Sequence, residues 1–378
     1  MAGPLQGLVV TELAGLGPAP FAGMVLTDLG ARVIRVDRIG GGDLFPPSPN
    51  DIMHRGRDSI AVDLKSPAGS EIVLRLAAVS EALIEGFRPG VTERLGVGPA
   101  DCLARNPALV YGRVTGWGQN GPMASMAGHD IDYIAVSGAL DSIGTADDPI
   151  PPLNLVGDFG GGGMLLALGV IAGVLHARQS GEGQVVDAAM VDGSALLTAS
   201  HHGYMADGWW QPQRQSNLLD GAAPFYTTYR TSDERHVAVG ALEPQFFSVL
   251  LEGLGLTAEE VGPQNDRDGW PSMRERFATI FATMTRDQWA THFAGTDACV
   301  APVLSLAEAP IHPHNLARST FRDVAGVTQP GPAPRFSVTT PELGKAPGNP
   351  GEDTDSILTF LGYSREEIGT LRSSGSVA

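Results

Sequence analysis

Residues 8–37, LVVTELAGLGPAPFAGMVLTDLGARVIRVD, decide the fold. LVVTELA is a short apolar run suited to a buried strand, and GLGPAP is a Gly/Pro turn. Apolar residues then recur at helical spacing from Pro20 to Leu29, and ARVIRVD reads as a second strand. The turn invites a dinucleotide reading, because Asp37 stands about where a ribose-binding carboxylate would. That reading fails on chemistry: the third glycine is missing, and Pro18 and Pro20 lack the backbone N–H donors a pyrophosphate needs at a helix start. A nicotinamide site is set aside.

Outward from this β–α–β unit the alternation continues. SIAVDL (59–64), EALIE (81–85) and LVYGRVTG (109–116) read as strands, with helices over Pro67–Val79 and Ala100–Asn106 between them. Strands alternating with helices predict an α/β fold with a Rossmann-like parallel sheet covered on both faces. GDFGGGG opens a long apolar helix to about Arg178, and QVVDAAM begins another strand–helix pair. Beyond Asn217 the chain is turn-rich. FYTTYR and HVAVGA, joined by TSDER, predict a hairpin, and helices around 244–254 and 270–294 complete a smaller α+β unit. The Pro-rich stretch 308–350 reads as an extended return crossing, followed by a final helix pair. The expected organisation is a large domain over 1–215 completed by 330–378, a small domain over 216–315 and a return linker over 316–329.

Composition narrows the function classes. The 378 residues carry a net charge of −17, which opposes nucleic-acid binding. The window Arg32–Arg94 is neutral, with nine basic and nine acidic residues, so all the excess negative charge lies elsewhere. Such a window can hold a small polyanion, or it can be ordinary compositional fluctuation. The N-terminus has no secretory signal pattern, and the longest apolar run, Met164–Leu175, is short for a bilayer and holds two glycines. Cys102 and Cys299 have neither disulfide nor metal spacing, and a reducing, cytoplasmic compartment is expected.

Two segments carry candidate chemistry. GWGQNGPMASMAGHDIDY (116–133) sets His129, Asp130 and Asp132 beside glycines before an apolar helix. His129 is a general base candidate, or Asp130 or Asp132 caps the helix while His129 fills space. In NLVGDFGGGG (154–163), Asp158 is either a site carboxylate, with four glycines permitting close approach of a backbone or ligand, or a plain N-cap. Glu243 in ALEPQFF is a helix-start carboxylate or a partner for a histidine. Met123, Met126, Met190 and Met205 could line an adaptable apolar surface or pack in cores. His201-His202 and His312-Pro313-His314 lack ligand spacing, so no metal is expected, and no GxSxG elbow is present.

The strings PLQGLVVTELA, GARVIRVDR, AVDLKS, EGFRPGVTERLG, TGWGQNGP, GHDIDY, NLVGDFGGGG, GQVVDAAMVDGS and DTDSILTFLGYSREEIGTLRSSGSV run nearly end to end. In this order they resemble the class III coenzyme A transferase (CaiB/BaiF) family, and within it the α-methylacyl-CoA racemase branch. The resemblance implies adenosine and phosphate contacts at Arg38, at Val62, Asp63, Leu64 and Lys65, at Gly86, Phe87, Arg88, Pro89, Gly90 and Val91, and at Arg94. It implies thioester-side contacts at Gly128, Asp130, Ile131, Asp132 and Tyr133. Lys65 is one of only two lysines in the chain, and these positions fall in the neutral window.

By the same resemblance His129 and Asp158 form an acid/base pair, His129 on the S face and Asp158 on the R face, and Glu243 orients the histidine. The implied reaction is racemisation of a 2-methylacyl-CoA thioester through an enolate, with backbone N–H groups near Asp130 as oxyanion donors and no cofactor. The alternative is a CoA-transferase in which Asp158 is the nucleophile of an acyl anhydride; a catalytically silent CoA-binding protein is a third. Family members form interlocked homodimers, which implies a site built from both chains, and the resemblance implies a place in lipid metabolism; the short apolar run predicts no membrane span.

Overall fold

The computed structural model describes residues 3–41 and 48–378; positions 1, 2 and 42–47 of the expected large domain lie outside the described residues. The chain divides into two compact units, the first comprising 1–138, 152–198 and 317–378, the second 139–151 and 199–316.

In the first unit, β1 (Val9–Leu13), β2 (Arg32–Arg38), β3 (Asp58–Val62), β4 (Ala82–Glu85), β5 (Val110–Thr115) and β6 (Gln184–Ala189) form one sheet in the order β3-β2-β1-β4-β5-β6. Every pairing is parallel. Between the strands run α1 (Pro18–Asp28), α2 (Pro67–Val79), α3 (Val91–Arg94), α4 (Pro99–Arg105), α5 (Asp130–Val136) and α6 (Leu165–Ser180), and α7 (Met190–Leu197) follows β6. Alternate strand residues feed opposite cores, as the pleat requires. Val33 and Ile84 pack with Leu26, Leu166 and Val170, whereas Ile34 and Leu83 pack with Ile72, Leu76 and Ile357. The apolar strands are therefore covered on both faces, as their composition predicts.

Met164–Leu175 is longer in space than it reads in sequence. A wide π-helical segment, Leu155–Met164, runs straight into α6, and the resulting 26-residue helix is long and apolar enough by length and composition to cross a membrane. Its glycines explain what it does in this unit. A Cβ on Gly173 would lie 2.8 Å from Val110 Cγ1, and one on Gly169 2.7 Å from Val186 Cγ1, so the helix rests directly on β5 and β6. Leu166, Val170 and Val174 are buried there.

The second unit holds α8 (Ala199–Ala206), β7 (Tyr226–Arg230), β8 (His236–Gly240), α9 (Pro244–Leu254), α10 (Ala258–Val261), α11 (Trp270–Phe281), α12 (Arg286–His292) and β9 (Val300–Pro302). The predicted hairpin is β7–β8, turning through Thr231–Arg235, and β9 adds a third antiparallel strand that the sequence reading did not contain. The helix expected over 270–294 is two helices, α11 and α12, with Thr285 capping the second.

The Pro-rich stretch is not a plain extended crossing. It contains α13 (Pro313–Arg318) and an antiparallel hairpin, β10 (Phe321–Val324) and β11 (Val327–Pro330). Gln329 is buried and accepts from Arg55 Nη1 at 2.9 Å, which docks the hairpin in the first unit. Residues 317–329, expected as linker, thus belong to the first unit, and the chain leaves that unit at 139–151 and again after Thr198 rather than first at 215. The tail forms α14 (Thr354–Phe360) and α15 (Arg365–Ser373), then pairs Val377 with Val62 beside the edge strand β3.

The tightest approach in this unit is between α7 and the π-helical segment. A Cβ on Gly193 would overlap the Gly161 carbonyl, and one on Gly161 would lie 2.7 Å from Ser194 N. Gly193→Ala is expected to cost about 1–3 kcal/mol of stability, the range for overpacking a close contact, read as a lowered urea midpoint at unchanged slope.

Candidate active site

Sheet order reverses between β1 and β4, and in open parallel sheets ligands bind beyond the carboxyl ends of the strands at that point. Two loops lie there, Ala14–Gly17 after β1 and Gly86–Gly90 after β4. Gly17 has φ +69° and a Cβ on it would stand 3.2 Å from Asp158 Oδ2. The glycine of the GLGPAP turn therefore makes room for a carboxylate, not for a pyrophosphate.

Asp158 is not an N-cap. It is the fourth residue of the π-helical segment, half-buried, and Asn154 Nδ2 donates to its Oδ2 at 3.0 Å. The four glycines after it serve backbone packing rather than ligand approach. Cβ atoms on Gly162 and Gly163 would fall 2.8 Å from Met190 Cγ and from Phe21 Cδ1. Phe21 also stacks on Phe159 at 4.7 Å.

His129 is the N-cap of α5, in extended backbone conformation, and is exposed. Its N–H donates to Asp132 Oδ2 at 2.9 Å, so Asp132 does the capping and the imidazole does not fill space. Asp130 points inward: its Oδ1 accepts the Asp158 N–H at 2.6 Å, and a Cβ on Gly157 would lie 2.5 Å from that oxygen. Asp130 Oδ2 is buried without a hydrogen-bond partner among the described residues. Burial pushes the Asp158 carboxyl above the usual carboxylate range; the Asn154 amide and His129 draw it down, and the Asp130 charge adds to the rise. Tyr133 packs edge-on against Trp117 at 4.8 Å and donates to the Gly128 carbonyl. Burial, with Asp158 and Asp132 nearby, lifts its phenol to about 12, while Arg88 opposes the rise.

The first unit thus brings His129, Asp130, Asp132, Tyr133 and Asp158 together, with Gly128 and Ile131 flanking them. Glu243 belongs to the second unit, as the N-cap of α9. Gly17, Asn154 and Trp117 were not anticipated; the Gly/Pro turn after β1 was the available signal for the first.

The basic residues of the neutral window sort cleanly. Arg32, Arg35, Arg55, Arg57 and Arg75 pair with Asp58, Asp37, Asp28, Glu12 and Glu71. Among the described residues, Arg38, Lys65, Arg88 and Arg94 form no ion pair, and all four are exposed. Leu64, Lys65 and Arg94 line one cavity of about 320 Å³ with Pro67, Ser70 and Leu95, while Val62 is buried at the end of β3 and Asp63 Oδ1 accepts the Lys65 N–H at 3.0 Å. Phe87, Pro89 and Val91 are half-buried around Arg88 and Gly90. Among the described residues no cluster of His, Cys, Asp and Glu could hold a metal ion.

A family model described as CoA-transferase family III matches residues 5–354. The chain belongs to CoA-transferase family III. It is 46% identical over 373 residues to alpha-methylacyl-CoA racemase of Mus musculus, covering 98% of this chain and 96% of that one. It is 45% identical over 379 residues to alpha-methylacyl-CoA racemase of Homo sapiens, with the same coverage. Among solved structures, a CAIB/BAIF family protein from Brucella suis superposes with a TM-score of 0.82 at 26% identity, covering 96% of this chain and all of that one. The family's fold is the one seen in the sheet and units above.

The electrostatics of Asp158 can be tested without substrate. Asp130→Asn removes a neighbouring negative charge and is expected to lower the Asp158 titration midpoint. Asn154→Ala removes a hydrogen bond to the ionised form and is expected to raise it. A ¹³C carboxyl titration, assigned by Asp158→Asn, reads both shifts, and shifts of the opposite sign would refute the stated causes.

Proposed function

We propose that this protein is a racemase that interconverts (R)- and (S)-2-methylacyl-CoA thioesters by moving one α-proton. The observation that carries this reading is the likeness, over nearly the whole chain, to proteins named alpha-methylacyl-CoA racemase. The site supports it, because a histidine and a carboxylate of raised pKa stand close enough to influence one another.

The α-proton of a thioester is weakly acidic, and its removal leaves an enolate with charge on the thioester oxygen. One side chain takes the proton as the C–H electron pair moves into the enolate. The other gives its own proton to the opposite face of the α-carbon, and the centre inverts. In this proposal His129 works on the S face and Asp158 on the R face, with roles exchanged for the other enantiomer. A carboxyl held above its usual range suits a group that must be acid in one direction and base in the other. The first N–H groups of α5, at Asp130 and Ile131, have no intrahelical carbonyl and serve the enolate oxygen. The proton inventory closes on these side chains, so no cofactor is invoked.

Arg38, Lys65, Arg88 and Arg94, which form no ion pair among the described residues, receive the phosphates of CoA, with Val62–Lys65 and Gly86–Val91 shaping the nucleotide end and Gly128–Tyr133 the thioester end. Guanidinium forks match phosphate oxygens, and Lys65 adds a point charge. The proposal extends to an interlocked homodimer, in the cytoplasm and in lipid metabolism, in which Glu243 of the partner subunit orients His129. Exposed Met164 at the end of the π-helical segment and Leu168 and Leu175 on α6, at helical spacing, with Val185 on β6, supply apolar surface for such an interface.

Incubation with a 2-methylacyl-CoA in D₂O, without an acceptor acid, is expected to give α-deuteration with loss of optical purity. His129→Ala and Asp158→Ala should each slow exchange about 10²–10⁴-fold. Full exchange by His129→Ala, or no exchange but CoA transfer to an added carboxylate, would refute the racemase. Sedimentation on dilution tests the assembly: Glu243→Gln should impair exchange in a stable dimer, and a fully active monomer would contradict a shared site.

A further inference from the structure

The loop carrying Arg88 and Arg94 is held at both ends by one guanidinium. Arg113 lies on β5 opposite Glu85, the last residue of β4. Arg113 and Glu85 are 5% and 0% exposed. Arg113 Nε donates to Glu85 Oε1 at 2.8 Å, and the other Glu85 oxygen accepts the Phe87 N–H at 2.6 Å. From the same side chain, Nη1 donates to Glu93 Oε1 at 2.7 Å and Nη2 to Thr92 Oγ1 at 3.3 Å. Glu85 and Glu93 bracket Gly86–Thr92, and Arg113 binds both.

The consequence falls on Arg94. Successive helical residues are turned by about 100°, so a Glu93 drawn inward to Arg113 directs the next residue elsewhere. Arg94 is exposed, lines the cavity with Lys65, and its Nη1 lies 3.2 Å from where a Cβ on Gly90 would be. Gly90 itself has φ +81°, a turn that places Val91–Arg94 over β4 and β5.

We propose that Arg113 is a positioning residue for the CoA nucleotide, acting through Glu85 and Glu93 to fix the Gly86–Arg94 loop and the direction of Arg94. The proposal rests on the reading that this loop receives the CoA phosphates. Arg113 touches no reacting atom, so its loss weakens nucleotide binding and leaves the proton-transfer step alone.

The test uses Glu93→Gln, which keeps the buried Glu85–Arg113 pair, Arg113→Lys, which can serve only one end, and Arg94→Ala. Affinity for free CoA is measured by calorimetry. Exchange is measured with a 2-methylacyl-CoA and with the matching pantetheine thioester, which lacks the nucleotide. Glu93→Gln and Arg113→Lys are expected to bind CoA about tenfold more weakly and to raise KM for the CoA ester by a like factor, the size expected for losing hydrogen bonds between charged groups. Their kcat, and their kcat/KM for the pantetheine ester, should match the parent. Unchanged CoA affinity in Glu93→Gln while Arg94→Ala loses it, or equal losses on both thioesters, would overturn the positioning role. Unchanged CoA affinity in Arg94→Ala would overturn the underlying assignment of the phosphate site instead.

Discussion

The hydrogen bond from the Asp158 N–H to the Asp130 carboxylate joins two segments 28 residues apart, and the arrangement of the site depends on it. A hydrogen bond to a charged group contributes about 1.5–3 kcal/mol, but its geometric effect is larger than that figure suggests. It fixes the backbone of the π-helical segment against the start of α5, so that Asp158 and His129 face a common space. It also leaves an unsolvated negative charge beside Asp158. The same oxygen leaves no room for a side chain at Gly157. Sequence identity at Gly157 and the local backbone are here set by a single contact, and the Asp130 charge adds to the rise that burial gives the Asp158 carboxyl.

A second constraint separates structural charge from available charge. Arg55 with Asp28, Arg57 with Glu12 and Arg113 with Glu85 are almost wholly enclosed. Breaking such a pair by removing one partner costs about 3–5 kcal/mol, because the survivor stays buried and uncompensated. Those arginines are committed to the fold. Arg38, Lys65, Arg88 and Arg94 form no ion pair among the described residues, and in a chain of net charge −17 such cations at the carboxyl ends of strands or just after them make a local field that suits a polyanion. Counting charges in the sequence locates the window but cannot divide it, since pairing partners such as Asp28 and Glu12 lie outside it.

Much of the fold was legible because buried parallel strands are written as continuous apolar runs and their helices carry clear turn signals. Pro67–Val79 was readable to the residue and the helix around 244–254 nearly so, each with proline in the first turn. Legibility failed where tertiary contacts set structure. β9 is three residues long and exists by pairing with β8, while β10–β11 hides among prolines and is secured by Arg55, far away in sequence. The glycine run after Asp158 shows the same limit at the site. Its smallness was visible, but not that Met190, Ser194 and Phe21 require it.

His129 and its neighbours show how a local rule can be broken and compensated. Ser, Thr, Asp and Asn are favoured at an N-cap, and histidine is a weak substitute. Here Asp132, three residues on, reaches back to the His129 N–H and secures the helix start. The imidazole is exposed, uninvolved in packing, and stands beside a half-buried carboxyl of raised pKa. In the proposed reaction Asp158 and His129 serve opposite faces of the α-carbon, and the contact from Asp130 to the Asp158 N–H ties the segment carrying one to the helix start carrying the other.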